Sequence, residues 1–411
     1  MLREKCLVCG SKNMKRIIDL GMQPFADTFI SDDFLTLSEH VYPLQCDLCE
    51  SCGQIQTSCV TNPSDRYSVR DYSYTSANSD FSRSHWRNYG DEVTNEICLS
   101  KDQVILEIGS NDGYLLHHLQ NKGYNKCLGI DPSPMMAEEA KNRHDVDTIV
   151  GLFEKVNVDN TKFGSLVSKC GLIVANNVFN HSNNPNLMVE KVSNLLSDEG
   201  YFVYELPYWQ TLVKSGHFDQ IYHEHVSYFT AFSSYNLLKK HGLTIDKIEI
   251  VDYHGGSLRV YAKKGEPIIN DKLQHLIDEE HKNNIFKMSC YENYMDRILE
   301  HRNLFMKNVY DLKSKGATII AVGAAAKGNT FLNFYNLDNS VIDYVTDSSR
   351  FKQGKFTPLT RIPIQSDEVF RKYNEVYAVI LSWNIADKLK GILTKINPKV
   401  KFITLEGSLN D

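Results

Sequence analysis

The sequence predicts an α/β protein in three parts: a small metal-binding module, then two units built on open, mostly parallel sheets. Three observations carry this. Two Cys-x-x-Cys-Gly knuckles fall within the first 53 residues. An apolar strand, a glycine turn and an amphipathic helix follow one another over residues 104–119, and the same order returns over residues 317–330. A chain of 411 residues has room for two or three domains, and 42% hydrophobic against 23% charged residues can fill their cores. The expected parts are residues 1–66, 67–265 and 266–411.

The 45 basic and 51 acidic residues leave a formal charge of −6, which argues against a wide face for nucleic acid. The apolar run at 319–326 is eight residues long, far below the roughly 20 of a membrane helix. The N-terminus, Met1-Leu2-Arg3-Glu4-Lys5-Cys6, has no apolar signal region. The expectation is a cytoplasmic protein with neither nucleic-acid nor membrane partners. Six of the ten cysteines lie in the first 59 residues, a distribution that suits a metal site better than disulfides.

In the first part, Cys6-Leu7-Val8-Cys9-Gly10 and Cys49-Glu50-Ser51-Cys52-Gly53 each offer two thiolates that can turn toward one ion. Zn2+ favours a closed tetrahedron of four such ligands, so two knuckles make a structural site. Cys46 competes, because Cys46-Asp47-Leu48-Cys49 has the same spacing; Gly53, matching Gly10, favours Cys49 and Cys52.

The middle part opens with Val104-Ile105-Leu106-Glu107-Ile108-Gly109-Ser110-Asn111-Asp112-Gly113 and a helix start. A second short strand ends in Asp131, 22 residues after Gly109, where sheets of the Rossmann type meet a ribose diol. The turn lacks Gly-x-Gly-x-x-Gly; its Glu-x-Gly-x-x-x-Gly is similar to the first motif of S-adenosylmethionine (SAM) methyltransferases. A third strand ends in Asn176 and Asn177, at the edge where such sheets bind ligands.

The densest chemical cluster is Tyr222-His223-Glu224-His225, followed by Tyr228-Phe229. It lacks the His-Glu-x-x-His spacing of a zinc protease. A histidine suits proton abstraction near neutral pH, and a neighbouring Glu can orient it; a structural polar network remains the competing reading. His181 and either Tyr72 or Tyr74 are candidate helpers. In the last part, Ala321-Val322-Gly323-Ala324-Ala325-Ala326-Lys327-Gly328-Asn329-Thr330 reads as strand, turn and helix start. Its free amides and Lys327 suit a phosphate. A polar helix-like stretch over 271–315 precedes it, and further strands are expected at 341–347 and 378–382.

Together these residues resemble the nucleotide-sugar C-methyltransferases, a group that includes the deoxysugar 3-C-methyltransferases of antibiotic biosynthesis. The resemblance implies a zinc module at Cys6, Cys9, Cys49 and Cys52, a SAM-methyltransferase domain, and a second Rossmann-like domain. SAM would contact Glu107, Gly109, Asn111, Gly113, Asp131, Asn176 and Asn177. His225 would be the base, with Tyr74, His181, Tyr222 and Glu224 around the sugar. Gly323, Lys327 and Asn329 would hold the diphosphate of a nucleotide-sugar substrate. The implied reaction removes a proton beside a 4-keto group and methylates the resulting enolate carbon. SAM-dependent methylation of an oxygen or nitrogen on a small metabolite is the alternative.

Overall fold

The computed structural model describes residues 2–63, 66, 75, 77, 79–407 and 409–410. Tyr72 and Tyr74 lie outside the described residues. The chain begins with an antiparallel sheet of β1 (Met14–Gln23), β2 (Tyr42–Cys49) and β3 (Ile55–Thr57). The turn from β2 to β3 carries the second cysteine knuckle.

The middle part starts with α1 (Asp80–Glu96), capped by the Ser79 hydroxyl, which accepts from the Ser82 amide at 3.1 Å. It buries Trp86, Tyr89 and Val93 against the second sheet. There follow β4 (Val104–Ile108), α2 (Tyr114–Asn121), β5 (Cys127–Asp131), α3 (Pro134–His144) and β6 (Thr148–Val150). β7 (Cys170–Val174), α4 (Pro185–Leu195) and β8 (Leu196–Pro207) continue the winding. Every residue of β4, β5 and β7 is buried, because helices cover both faces; hence their lack of polar alternation.

After β8 the chain leaves this sheet. α5 (Trp209–Ser215) leads through the irregular stretch 221–226 to β9 (Ser227–Tyr228), which pairs with β3, Tyr228 opposite Ile55. The chain returns through α6 (Ala231–Leu238) to β10 (Leu243–Val251) and β11 (Ser257–Lys264). The sheet order is β10-β11-β8-β7-β4-β5-β6, with β11 antiparallel to both neighbours. Strand order reverses between β4 and β7, which opens a crevice at their carboxyl ends.

The expected helical stretch at 271–315 is two helices, α7 (Asp271–Lys282) and α8 (Met288–Ser314). Asn284 breaks it at a left-handed φ of 55°, and Phe286 from the break covers the Gly53 knuckle. The last sheet contains β12 (Ile319–Val322), followed by α9 (Ala326–Phe334), then β13 (Tyr344–Thr346), β14 (Ile364–Gln365) and β15 (Val376–Ile380). α10 (Ala386–Ile396), β16 (Val400–Ile403) and β17 (Leu409–Asn410) complete it, in the order β14-β13-β12-β15-β16-β17. The strand expected at 341–347 is shorter because Val341 and Ile342 are turned back onto the Asp338 carbonyl.

The first sheet is sandwiched between the other two parts. Cys6, Val8, Cys49 and Cys52 belong to the same apolar cluster as β4, β7 and β8. Ile17, Ile18, Leu44 and Cys46 belong instead to the cluster under β12, α8 and α9. Among the described residues, no helix is long and apolar enough to cross a membrane.

Candidate active site

The four thiols of Cys6, Cys9, Cys49 and Cys52 lie within 4.8 Å of one another, with the Cys6–Cys52 and Cys9–Cys49 sulfurs 3.5 Å apart. A tetrahedral Zn2+ with bonds of about 2.3 Å sets sulfurs about 3.8 Å apart, so this donor set fits the ion. In each knuckle the glycine amide closes the turn onto the first cysteine carbonyl, Gly10 to Cys6 at 3.0 Å and Gly53 to Cys49 at 2.9 Å. Cys46 is packed in the other cluster, away from this group.

A cavity of about 310 Å3 sits at the crevice of the middle sheet, lined by Gly109, Asn111, Asp131, Asn176 and Asn177. Gly109 has φ 70°, and a Cβ there would come within 2.1 Å of Val178, so only glycine fits. Asp131 accepts the amides of Asn111 at 2.9 Å and Ser133 at 2.8 Å. Burial pushes its carboxyl up to about 6 against those two amides. Its remaining lone pairs can accept from hydroxyl groups of a ligand in the cavity. Glu107 and Gly113, expected among the cofactor contacts, do not line the cavity. Glu107 is buried beneath the turn, and burial raises its carboxyl well above the usual range. Gly113 starts α2, where a Cβ would press on Ala140 and Val146.

A second cavity of about 320 Å3 lies between the middle and last sheets, and shares Asn177 and His181 with the first. Tyr222, Glu224 and His225 line it from one side, Gly323 and Lys327 from the other. His225 Nδ1 donates to the Gln220 carbonyl at 3.1 Å, leaving Nε2 to accept from the Tyr222 hydroxyl at 2.6 Å. Burial pushes the imidazole pKa down to about 3, so the ring is neutral, with Nε2 as its basic nitrogen beside Tyr222. The His181 ring stands edge-on to His225 at 4.8 Å; burial and the neighbouring His225 and Arg66 hold it well below the ordinary imidazole range.

Glu224 does not orient His225. Its carboxylate accepts the amides of Asp27 at 3.0 Å and Ala26 at 3.3 Å, both from the loop after β1. His223 also turns away, its Nε2 on the Tyr42 carbonyl at 3.2 Å.

The last sheet repeats the geometry of the SAM-type turn. Asp347, at the end of β13, accepts the amides of Ala324 at 2.9 Å and Ser349 at 2.8 Å, as Asp131 does from its own turn and helix start. Lys327 bonds to Asn384 and lies 4.1 Å over the Trp383 ring. Burial pushes its pKa down to about 8 against the pull of Asp219. Asn329, expected to hold the substrate, does not line this cavity: it is buried, and its amide donates to the Ala26 carbonyl at 2.6 Å. That bond fastens α9 to the cysteine module. Sequence reasoning missed several cavity residues, Asp27 and His254 among them. Asp27 is contributed by the module itself, and His254 stands in the turn between β10 and β11. The only signal for the latter was His254-Gly255-Gly256 between two strands.

Three family models match in series: a zinc binding domain at residues 6–67, a methyltransferase domain at 84–248, and the C-methyltransferase C-terminal domain at 252–405. Together these models span residues 6–405, and they support a SAM-dependent C-methyltransferase. The C-methyltransferase is 28% identical to C-methyltransferase NovU from Streptomyces niveus over 389 residues, 94% of this chain and 91% of that protein. Among solved structures, a SAM-dependent methyltransferase from Clostridium acetobutylicum ATCC 824 aligns with 46% of this chain and 94% of its own, at 17% identity and TM-score 0.37. Magnesium protoporphyrin IX methyltransferase from Synechocystis PCC 6803 with bound SAM aligns with 45% of this chain and 82% of its own, at 12% identity and TM-score 0.34. The C-methyltransferase uses SAM as methyl donor and carries a zinc-binding N-terminal domain.

Proposed function

We propose that the enzyme methylates a ring carbon next to the 4-keto group of a nucleotide-linked sugar, using His225 as base. The supporting observation is the junction of the two cavities at Asn177 and His181, with the His225 ring 4.8 Å from His181. A methyl donor on one side and a sugar on the other would meet there. Residues 1–66, 67–265 and 266–411 act as zinc, methyltransferase and sugar-nucleotide domains, and the all-free cysteines suit a reducing cytoplasm.

SAM supplies an electrophilic methyl group, and the residues placed to hold it are Gly109, Asn111, Asp131, Asn176 and Asn177. Lys327 and the Gly323 turn line the side of the cavity that would take the diphosphate. His225 Nε2 takes the proton from the carbon beside the ketone, at the point where the Tyr222 hydroxyl now sits. Tyr222 and His181 stand beside the developing enolate; each correctly placed donor in such a site is worth about 3–4 kcal/mol. Glu224 keeps the base in place through the module amides. Zinc takes no part in bond changes.

The test is incubation with methyl-labelled SAM and a panel of 4-ketosugars linked to dTDP, GDP or CDP. The expected product carries the label on carbon. A label on oxygen or nitrogen, or transfer to a non-nucleotide metabolite alone, refutes the reading.

A further inference from the structure

We propose that His254 is a second catalytic histidine, donating a hydrogen bond from its neutral ring to the sugar's ketone oxygen as that oxygen becomes an enolate. The inference rests on the 4-ketosugar reading above. His254 lines the cavity that also holds His225, His181 and Tyr222. Its ring nitrogens make no hydrogen bond to any described residue, although the ring is packed against Tyr253 with centroids 4.1 Å apart. The ring is half-buried at the cavity wall, and a polar group there with no partner among the described residues is suited to a ligand partner.

The backbone around it is built for placement. His254, a non-glycine, adopts φ 52°, followed by Gly255 at 83° and Gly256 at 111°. Such left-handed runs cost free energy and collect where a side chain must be aimed. The turn is wedged: a Cβ on Gly255 would lie 2.5 Å from Trp383, and one on Gly256 2.6 Å from Thr211. Gln220 then ties the two histidines together. Its side-chain amide donates to the His254 carbonyl at 3.0 Å, while its own carbonyl accepts from His225 Nδ1.

Burial, with Lys327, His85 and His225 nearby, holds the His254 pKa down to about 3. It is a neutral donor throughout the working range rather than an acid. In the step, the C–H bond breaks toward His225 Nε2, its electron pair forms the C=C bond, and the carbonyl π pair moves onto oxygen. His254 hydrogen-bonds that oxygen without giving up its proton. The carbon then bonds to the SAM methyl, the S–CH3 pair returns to sulfur, and His225 releases its proton to solvent.

The test compares His254→Phe, which keeps an aromatic ring but no donor, with His254→Asn, which keeps a donor and tolerates the left-handed backbone. The substrate is the nucleotide 4-ketosugar of the panel that the wild type methylates. His254→Phe should lower kcat by about 10²–10³-fold, with KM changed less than about threefold. Solvent-deuterium exchange beside the ketone should fall by the same factor, and His254→Asn should recover about tenfold. Wild-type kcat in His254→Phe, a loss confined to KM, or equal losses in both variants would overturn the proposal while leaving the 4-ketosugar reading intact. Lost SAM binding or early melting in both variants would make the residue structural and also overturn it. No exchange by the wild type with any ketosugar would instead sink the parent reading, and this one with it.

Discussion

Replacing Glu224 with Gln tests whether its carboxylate holds the catalytic stretch or shares in the chemistry. The side chain is buried, with its oxygens on the Asp27 and Ala26 amides at 3.0 and 3.3 Å. Burial, with the negative charge of Asp27 adding to it, pushes the carboxyl from 4.5 to about 7 against those amides. An acid whose folded pKa is raised stabilises the fold fully below its unfolded pKa and loses that contribution as pH rises through the folded one. A shift of about 2.5 units at 1.36 kcal/mol each makes this about 3 kcal/mol between roughly pH 4.5 and 7. Gln carries no charge, so the wild type should lose that much relative to Glu224→Gln over the same window. About 2.5 kcal/mol of this falls between pH 5 and 8, so at about 2–4 °C per kcal/mol for a domain of this size the gap in melting midpoints should move by roughly 5–10 °C in the variant's favour. Melting curves on the zinc-loaded protein measure it. A gap constant to about 1 °C, or one moving the other way, would show that Glu224 is not the buried clamp described here.

Three further outcomes are expected. His225→Asn should lower turnover by about 10²–10⁴-fold with little change in SAM binding; because burial holds the imidazole down to about 3, wild-type turnover should show no inflection from this residue between pH 5 and 8. Asp131→Ala should weaken SAM about tenfold or more by calorimetry, since a charged hydrogen-bond acceptor contributes about 1.5–3 kcal/mol. Lys327→Met should raise KM for the nucleotide sugar about tenfold or more while leaving SAM affinity unchanged; an unchanged KM would move the diphosphate elsewhere.

Much of this architecture was legible because it depends on local pattern. The two knuckles announce themselves by spacing and by the glycine that follows each pair. The crevice of the middle sheet follows from an apolar strand, a turn that only glycine can make, and an acid closing the next strand. What could not be read depends on contacts far apart in sequence. Glu224 sits beside His225 in the chain, so adjacency suggested that it orients the imidazole. The structure sends it to Ala26 and Asp27, nearly two hundred residues away, and gives the orienting role to the Gln220 carbonyl. Asn329 stands in a phosphate-type turn, yet Ala26 claims it. His254 has no motif of its own, and its position becomes visible only when the turn from β10 to β11 folds over the cavity.

The same long-range contacts give a metal outside the chemistry a route to the rate. Residues 221–226 form no helix or strand, so their shape is imposed from outside. The Thr57 amide donates to the Val226 carbonyl at 2.9 Å, Tyr42 holds His223, Ala26 and Asp27 hold Glu224, and Thr330 reaches the Ile221 carbonyl at 3.2 Å. Three of these four anchors come from the cysteine module, whose β2–β3 turn is closed by Cys49 and Cys52. The cavity at the middle crevice, by contrast, takes only Pro63 from that part of the chain among the described residues. Cys49→Ser should therefore strip the zinc, with Cys46→Ser as a fully loaded control by metal analysis. Misplacing a base by about 1 Å can cost about a hundredfold. Turnover in Cys49→Ser should fall by at least about tenfold while SAM affinity stays within about threefold. Full zinc in Cys49→Ser would refute the ligand set. Loss of SAM binding in step with turnover would show that the module supports the whole fold rather than the placement of His225.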